Sequence, residues 1–251
     1  MTNNNSQAEK IIIALDAQTQ KEALSLVQEL PKAKIFKVGL TLFASEGPPL
    51  LREIQNLGKK IFLDLKLHDI PHQIGGAVTA ATGHDVHMMT LHASGGREMM
   101  AKAAEAAHEA ALHSGQSRPL LLAVTVLTSL KQEQLREIGM DDSVDEQVLR
   151  LAKLAKKNGM DGVVCSPQEI DIIKGEFGRD FLVVSPGIRP EWAAAQDQKR
   201  ILTPAEAISK GVDYMVIGRP ITQAPSPAEA FLKIEEELHR AVNTSDRENS
   251  A

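Results

Sequence analysis

In the stretch Lys60-Ile61-Phe62-Leu63-Asp64-Leu65-Lys66-Leu67-His68-Asp69, residues 60–67 read as a β-strand that begins apolar and runs out into charge. Its run Ile61-Phe62-Leu63 is apolar on both faces, as a strand of a helix-covered parallel sheet must be. From Asp64 onward the residues alternate. Side chains two apart share a face of a strand, so Asp64, Lys66 and His68 fall on one side and Leu63, Leu65 and Leu67 on the other. The leucines suit packing against helices. The charged set suits the interior of a barrel, at its mouth.

Working outward, similar runs recur at residues 11–16, 35–40, 86–92, 120–127, 162–166, 181–188 and 214–218. Helical spacing fills residues 21–30, 49–57, 98–113, 145–158 and 204–210, and a last helix is expected over 227–240. Gly58, Gly115, Gly159 and Gly211 follow such stretches, where a left-handed residue ends a helix. Strands alternating with helices in this number predict one α/β domain, a (β/α)8 TIM barrel over residues 10–241, with residues 1–9 and 242–251 as disordered tails. The alternative is an open doubly wound sheet. Its glycine-rich first turn is missing from Leu15-Asp16-Ala17-Gln18-Thr19.

A chain of 251 residues with 43% hydrophobic and 24% charged residues can bury a sufficient core without a staple. The net charge of −5 weighs against non-specific nucleic-acid binding, while leaving room for a local basic pocket. The single cysteine, Cys165, excludes an internal disulfide and fits a cytoplasmic location. It ends the apolar run Gly162-Val163-Val164-Cys165 and reads as a buried structural thiol. The polar start of the chain predicts no signal peptide, and no apolar run approaches the roughly 18–20 residues that span a bilayer.

Chemistry on this fold sits at the C-terminal ends of the strands. Asp16 ends the first, Lys37 lies in the second, and Asp64 to Asp69 end the third. Asp64 and Lys66 alone could be a structural ion pair, although burial makes such pairs poor stabilisers. Charge from three strands at one mouth points instead to a functional site. Late in the chain stand Ser185-Pro186-Gly187-Ile188-Arg189-Pro190 and Ile217-Gly218-Arg219-Pro220. Loops after strands seven and eight often hold phosphate on this fold. Gly187 and Gly218 would admit an anion close to the backbone, and Arg219 would add a forked contact. Residues 128–139 and 189–200 are expected to be mobile loops. His84, His87 and His92 match no common zinc spacing and read as solvated or core residues. Ala93-Ser94-Gly95-Gly96 reads as a tight turn, and no P-loop or Ser-His-Asp signature is found.

Taken in order, the pieces Ala14-Leu15-Asp16, Phe36-Lys37-Val38-Gly39, Asp64 to Pro71, Leu91 to Gly96, Val124 to Ser129, Ser185 to Pro190, Asp197-Gln198-Lys199-Arg200 and Ile217-Gly218-Arg219 resemble bacterial orotidine 5′-phosphate decarboxylase. The Asp-x-Lys-x-x-Asp piece alone is shared with other phosphate-sugar barrels; the ordered set is specific. The resemblance implies decarboxylation of orotidine 5′-phosphate to UMP, without metal or cofactor, in a homodimer. It implies that Lys66 donates the proton to C6, flanked by Asp64 and by Asp69, the latter reaching in from the partner subunit. Lys37 would belong to the same charge array and contact the ribose. Asp16 would hold a ribose hydroxyl, and Thr128 would bond the pyrimidine. Gln198 would bridge base and phosphate, with Arg189, Arg219 and the Gly218 backbone around the phosphate. Ile70 would join the substrate contacts. Where the family has Asn-Thr after Asp-Ile-Pro, this chain has His72-Gln73, so Gln73 would have to replace a threonine contact across the dimer.

Decarboxylation at C6 leaves charge on a carbon that the ring cannot delocalise, so a positioned ammonium is the group the reaction calls for. Two rivals remain. A metal-dependent sugar-phosphate aldolase or decarboxylase shares the motif but typically places a glutamate where this chain has Lys37, and a lysine repels a divalent cation. A non-catalytic phosphate-ligand sensor would not require the array Lys37, Asp64, Lys66 and Asp69.

Overall fold

The computed structural model describes residues 7–193 and 202–248, with side chains as far as residue 242. The strands are β1 (Ile11–Leu15), β2 (Ile35–Gly39), β3 (Lys60–Leu67), β4 (Met88–His92), β5 (Leu120–Val124), β6 (Gly162–Val164), β7 (Leu182–Pro186) and β8 (Tyr214–Ile217). They form a closed barrel in sequence order. The barrel expected from the alternation of strands and helices is thus the observed architecture.

The helices are α1 (Gln20–Glu29), α2 (Leu40–Glu46), α3 (Pro48–Asn56), α4 (Pro71–Gly83), α5 (Gly96–Ser114), α6 (Gln132–Glu137), α7 (Val144–Lys157), α8 (Ile170–Phe177), α9 (Pro204–Ser209), α10 (Arg219–Thr222) and α11 (Pro227–Glu248). The chain divides into two compact units, residues 1–62 with 185–251 and residues 63–184.

In the first unit, β1 is buried along its whole length and pairs in parallel with both β2 and β8, Ile12 lying opposite Ile35 and Val216. A strand covered on both faces has no polar side to show, which explains its Ile-Ile-Ile-Ala-Leu sequence. Phe231, Ile234 and Leu238 form the buried stripe of α11, at the i, i+3, i+7 spacing of a helix face.

In the second unit, β4, β5 and β6 pair in parallel order, and β6 pairs with β7 through Gly162 and Leu182. Arg118 locks the strand starts. Its Nη1 donates to both Asp161 oxygens at 2.9 and 2.8 Å, and Asp161 Oδ2 also accepts from the Leu121 N–H at 2.7 Å. Helix α7 carries its own end signals: Ser143 and Glu146 form a reciprocal capping box, and Lys156 and Lys157 stand at the negative end of the helix. Buried Ala103, Ala106, Ala107 and Ala110 on α5 explain its alanine-rich sequence, since small side chains let α5 lie close to its neighbours.

Several boundaries differ from the sequence reading. Helix α4 has Gly75 and Gly76 in its interior, which hides it from a propensity argument, although Pro71 at its first turn is a proper start signal. Helices α2, α6, α8 and α10 are short, four to eight residues, and leave little periodicity to read. The stretch 128–139, expected as a loop, contains α6. Helix α11 continues past Arg240 to Glu248, and a 3-10 turn occupies Gln7–Lys10. The glycines read as helix stops, Gly58, Gly115, Gly159 and Gly211, all have positive φ. Among the described residues no helix is long and apolar enough to cross a membrane.

Gly162 is the tightest point of the β6–β7 pair. A Cβ there would collide with the Leu182 carbonyl oxygen, a backbone atom that cannot swing away. Gly162→Ala is expected to destabilise the protein by about 1–3 kcal/mol or more, as overpacking does. Chemical denaturation of the variant beside wild type measures the effect, and an unchanged midpoint would mean that β6 and β7 can separate without loss.

Candidate active site

The end of β3 carries a buried, hydrogen-bonded charge. Asp64 is 8% exposed, yet it is a carboxylate and needs donors. Lys66 supplies two contacts, its Nζ lying 2.8 Å from each Asp64 oxygen. The Thr90 hydroxyl, fully buried on β4, donates to Asp64 Oδ1 at 2.9 Å and accepts from the Lys66 backbone N–H at 2.9 Å. Lys66 itself has φ +50°, in the left-handed region that a residue with a side chain avoids. The strand has therefore left its regular course by Lys66, and the simple alternation from Asp64 to His68 is interrupted there. Asp64 and Lys66 nevertheless share a side, as expected, because the ion pair holds them there.

His68 and His92 stand beside this pair, their ring centroids 5.4 Å apart. His92 is half-buried, and burial is the main cause that lowers its pKa below 6.5; His68 and Lys66 act in the same direction and Asp64 opposes them. The reading of His92 as an ordinary solvated or core residue is incomplete: it faces the Asp64–Lys66 pair. A Cβ at Gly95 would displace the flexible end of the Met99 side chain and lie 3.2 Å from His68 Cδ2. Among the described residues no group of three or more His, Cys, Asp or Glu side chains could hold a metal ion. Cys165 is buried, and burial raises its thiol pKa well above the ordinary value, which leaves it a core residue.

The first unit holds Asp16, Lys37, Arg189, Gly218 and Arg219. Arg219 and Arg189 line a cleft of about 340 Å³ with Trp192 and Gln223. Arg219 also borders a cleft of about 580 Å³ that contains Asp16, Thr19 and Lys21. Gly218 lies against Asp16: a Cβ at Gly218 would come 3.3 Å from Asp16 Oδ2. Lys37 is half-buried on β2, its Nζ 3.3 Å from where a Gly39 Cβ would stand. Asp16, Gly218, Arg219 and Arg189 are thus brought around adjoining clefts.

The remaining residues are less gathered. Asp69 is exposed and accepts a hydrogen bond from its own neighbour, the Ile70 N–H, at 2.6 Å. Ile70 is 62% exposed, and Gln73 and Thr128 are exposed as well. Gln198 lies outside the described residues. Sequence reading missed Thr90, although a polar residue inside the apolar run Met88-Met89-Thr90-Leu91 was the available signal.

A family profile described as orotidine 5′-phosphate decarboxylase / HUMPS matches residues 9–234. The chain belongs to this family. The orotidine 5′-phosphate decarboxylase of Syntrophomonas wolfei is 49% identical over 233 residues, 92% of this chain and 98% of that protein. The enzyme of the same name from Nostoc sp. is 46% identical over 235 residues, 93% of this chain and 99% of that protein. A crystal structure of orotidine 5′-phosphate decarboxylase from Lactobacillus acidophilus superposes with a TM-score of 0.81 at 38% identity, covering 92% of this chain and 99% of that one. The similarity therefore spans both units and the whole ordered set of motifs.

The His92 environment has a consequence for the pH dependence of stability in this family member. A histidine whose pKa is lower in the folded than in the unfolded chain resists protonation only while folded. The unfolded chain then binds the extra proton, and stability falls as pH drops below about 6.5. Wild type is expected to lose more stability than His92→Gln between pH 7.5 and pH 5.5. Urea unfolding at the two pH values measures this, and equal losses would show that His92 is not held neutral by its surroundings.

Proposed function

We propose that this chain decarboxylates orotidine 5′-phosphate to UMP and carbon dioxide, with Lys66 delivering the proton to C6. The observation that carries the reading is the Lys66 ammonium seated on both oxygens of buried Asp64 in a chain of this family. Loss of carbon dioxide leaves an electron pair on C6, in an orbital that the ring π-system cannot share. A fixed positive charge beside that carbon stabilises the pair, and the same group then transfers its proton to it. Asp64 is too constrained to follow the substrate, so it holds Lys66 in one place rather than competing for position.

The phosphate would be held by Arg219 and Arg189 and by the Gly218 backbone, and Asp16, beside Gly218, would take a ribose hydroxyl. Both arginines line one cleft, which supports a dianion there. Lys37 would contact the ribose, Thr128 the pyrimidine, and Gln198 both base and phosphate. Binding energy gathered at the phosphate, away from the reacting carbon, can be used to orient the base.

The reading includes a homodimer in which Asp69, with Ile70 and Gln73, serves the neighbouring copy's site. Two features support it. Asp69 is exposed and accepts from the Ile70 N–H, and Ile70 presents an apolar side chain to the exterior. A cytoplasmic place of action fits a chain with a single, buried cysteine and hence no internal disulfide.

Lys66→Ala is expected to reduce turnover of orotidine 5′-phosphate by at least about 10²-fold with the fold retained, the scale of a lost proton donor. Spectrophotometric loss of substrate is the measurement, and an active variant would remove Lys66 from the mechanism. Arg219→Ala should lower kcat/KM by about 2–5 kcal/mol, as for a truncated charge contact. An unchanged value would end the phosphate assignment. Turnover should persist in EDTA; its disappearance would move the reading to a metal-dependent sugar-phosphate enzyme.

The dimer has its own check. Lys66→Ala and Asp69→Ala are each expected to be inactive, and mixing them after exchange of subunits should restore roughly a quarter of wild-type turnover, because one site in each mixed dimer is intact. No restoration would place Asp69 outside the partner's site.

A further inference from the structure

We infer that Thr90 is a positioning residue for the reaction centre, acting through its hydroxyl on both Asp64 and Lys66. The direction of each hydrogen bond is settled by chemistry. The Lys66 backbone N–H can only donate, so the Thr90 oxygen accepts it, at 2.9 Å. The Thr90 proton is then free for an acceptor, and it goes to Asp64 Oδ1, also at 2.9 Å. Lys66 Nζ completes the circuit by binding both Asp64 oxygens at 2.8 Å. One buried hydroxyl therefore ties the backbone of Lys66 to the carboxylate that receives its side chain.

This tie answers two needs of the site. Lys66 has φ +50°, a conformation that costs on the order of 1–3 kcal/mol in a residue with a side chain and persists only where its surroundings hold it. The bond from its N–H to Thr90 is one such hold. Asp64 is buried, and a carboxylate with free oxygens could turn about its χ2 angle and carry Lys66 with it. The Thr90 hydroxyl blocks that rotation by engaging Oδ1. Thr90 is itself immobilised: it is fully buried in β4, between Met89 and Leu91, and its branched Cβ restricts χ1. A serine could make the same bonds with looser placement. Valine fills the same volume but leaves both the Lys66 N–H and one Asp64 oxygen without this partner.

The activity readout rests on the decarboxylase reading above, so wild-type turnover of orotidine 5′-phosphate is established first; its absence would count against that reading and leaves the structural arm below to decide Thr90. The variants are Thr90→Ser, Thr90→Ala and Thr90→Val, each checked by thermal melting. Thr90→Val and Thr90→Ala are expected to lower kcat by at least about tenfold, with KM changed less than about threefold, the scale set by a buried group losing its hydrogen bond. Thr90→Ser is expected to keep kcat within about threefold of wild type, because the hydroxyl survives. The acid limb of the kcat–pH profile should move to higher pH in the Ala and Val variants and stay in place in the Ser variant, since a carboxylate deprived of a donor is protonated more readily.

The Ser and Ala variants both lose the γ-methyl and differ by the hydroxyl alone, so they decide the matter even if Thr90→Val fails to fold. Equal impairment of Ser and Ala would reduce Thr90 to a packing residue and overturn the inference. So would wild-type kcat and an unmoved acid limb in the Ala variant. The structural arm is a crystal structure of Thr90→Ala without ligand. A displaced Asp64 carboxylate or a Lys66 backbone that has left positive φ supports the inference. A Lys66–Asp64 pair unchanged in both overturns it.

Discussion

A carboxylate placed almost out of reach of water at the end of β3 organises the polar groups around it. Asp64 could not be kept charged there without donors, because burying an unpaired charge costs far more than any single contact in the fold returns. Its donors are Lys66 and Thr90, and both are specified by backbone as well as side chain. Lys66 stands two residues along the same strand, so the pairing is local; Thr90 comes from β4, so the pairing also depends on the neighbouring strand. The ion pair is consequently a poor device for stability and a good one for position. A lysine whose ammonium rests on two oxygens has few rotamers left, and its proton has a defined place.

The strain at Lys66 fits this division of labour. A regular strand would have continued the pleat through Leu67 and sent successive side chains to opposite faces. The positive φ at Lys66 breaks that continuation at the residue proposed as the proton donor. His68 and His92 then approach the pair, and burial together with the nearby ammonium lowers the pKa of His92. A neutral imidazole there adds bulk and polarity without adding a second cation that would compete with Lys66 for Asp64.

How much of this was legible in the sequence follows from which signals are periodic. The strands were readable because covered parallel strands are apolar throughout, and β3 was delimited to the residue, from Lys60 to Leu67. Long helices such as α5 and α7 declared themselves by spacing and by their glycine stops. The short helices α2 and α6 carry too few turns for a period to emerge, and α4 is diluted by Gly75 and Gly76. The Asp64–Lys66 pairing was legible because it lies within one strand. Thr90 was not, since its partners are 24 and 26 residues away, and only strand register brings them together. The clefts at Arg219 could be anticipated in kind, from glycine and arginine after the seventh and eighth strands, but the company of Trp192 and Gln223 could not.

The two groupings differ in how firmly they are held, and that difference matches the role proposed for each. At Asp64, hydrogen bonds close a ring with Lys66 and Thr90, and Thr90 and Asp64 are buried. At Asp16 and Arg219 the side chains are exposed and border open clefts. A proton donor must meet a carbon whose electron pair has one direction, so misplacement by a fraction of a bond length is expensive. A phosphate dianion presents several equivalent oxygens and can be held by forked arginines over a range of approach, so its contacts need not be built in advance. Pre-formed order is therefore concentrated where direction matters, and exposed charge is left where a ligand can supply the order on arrival.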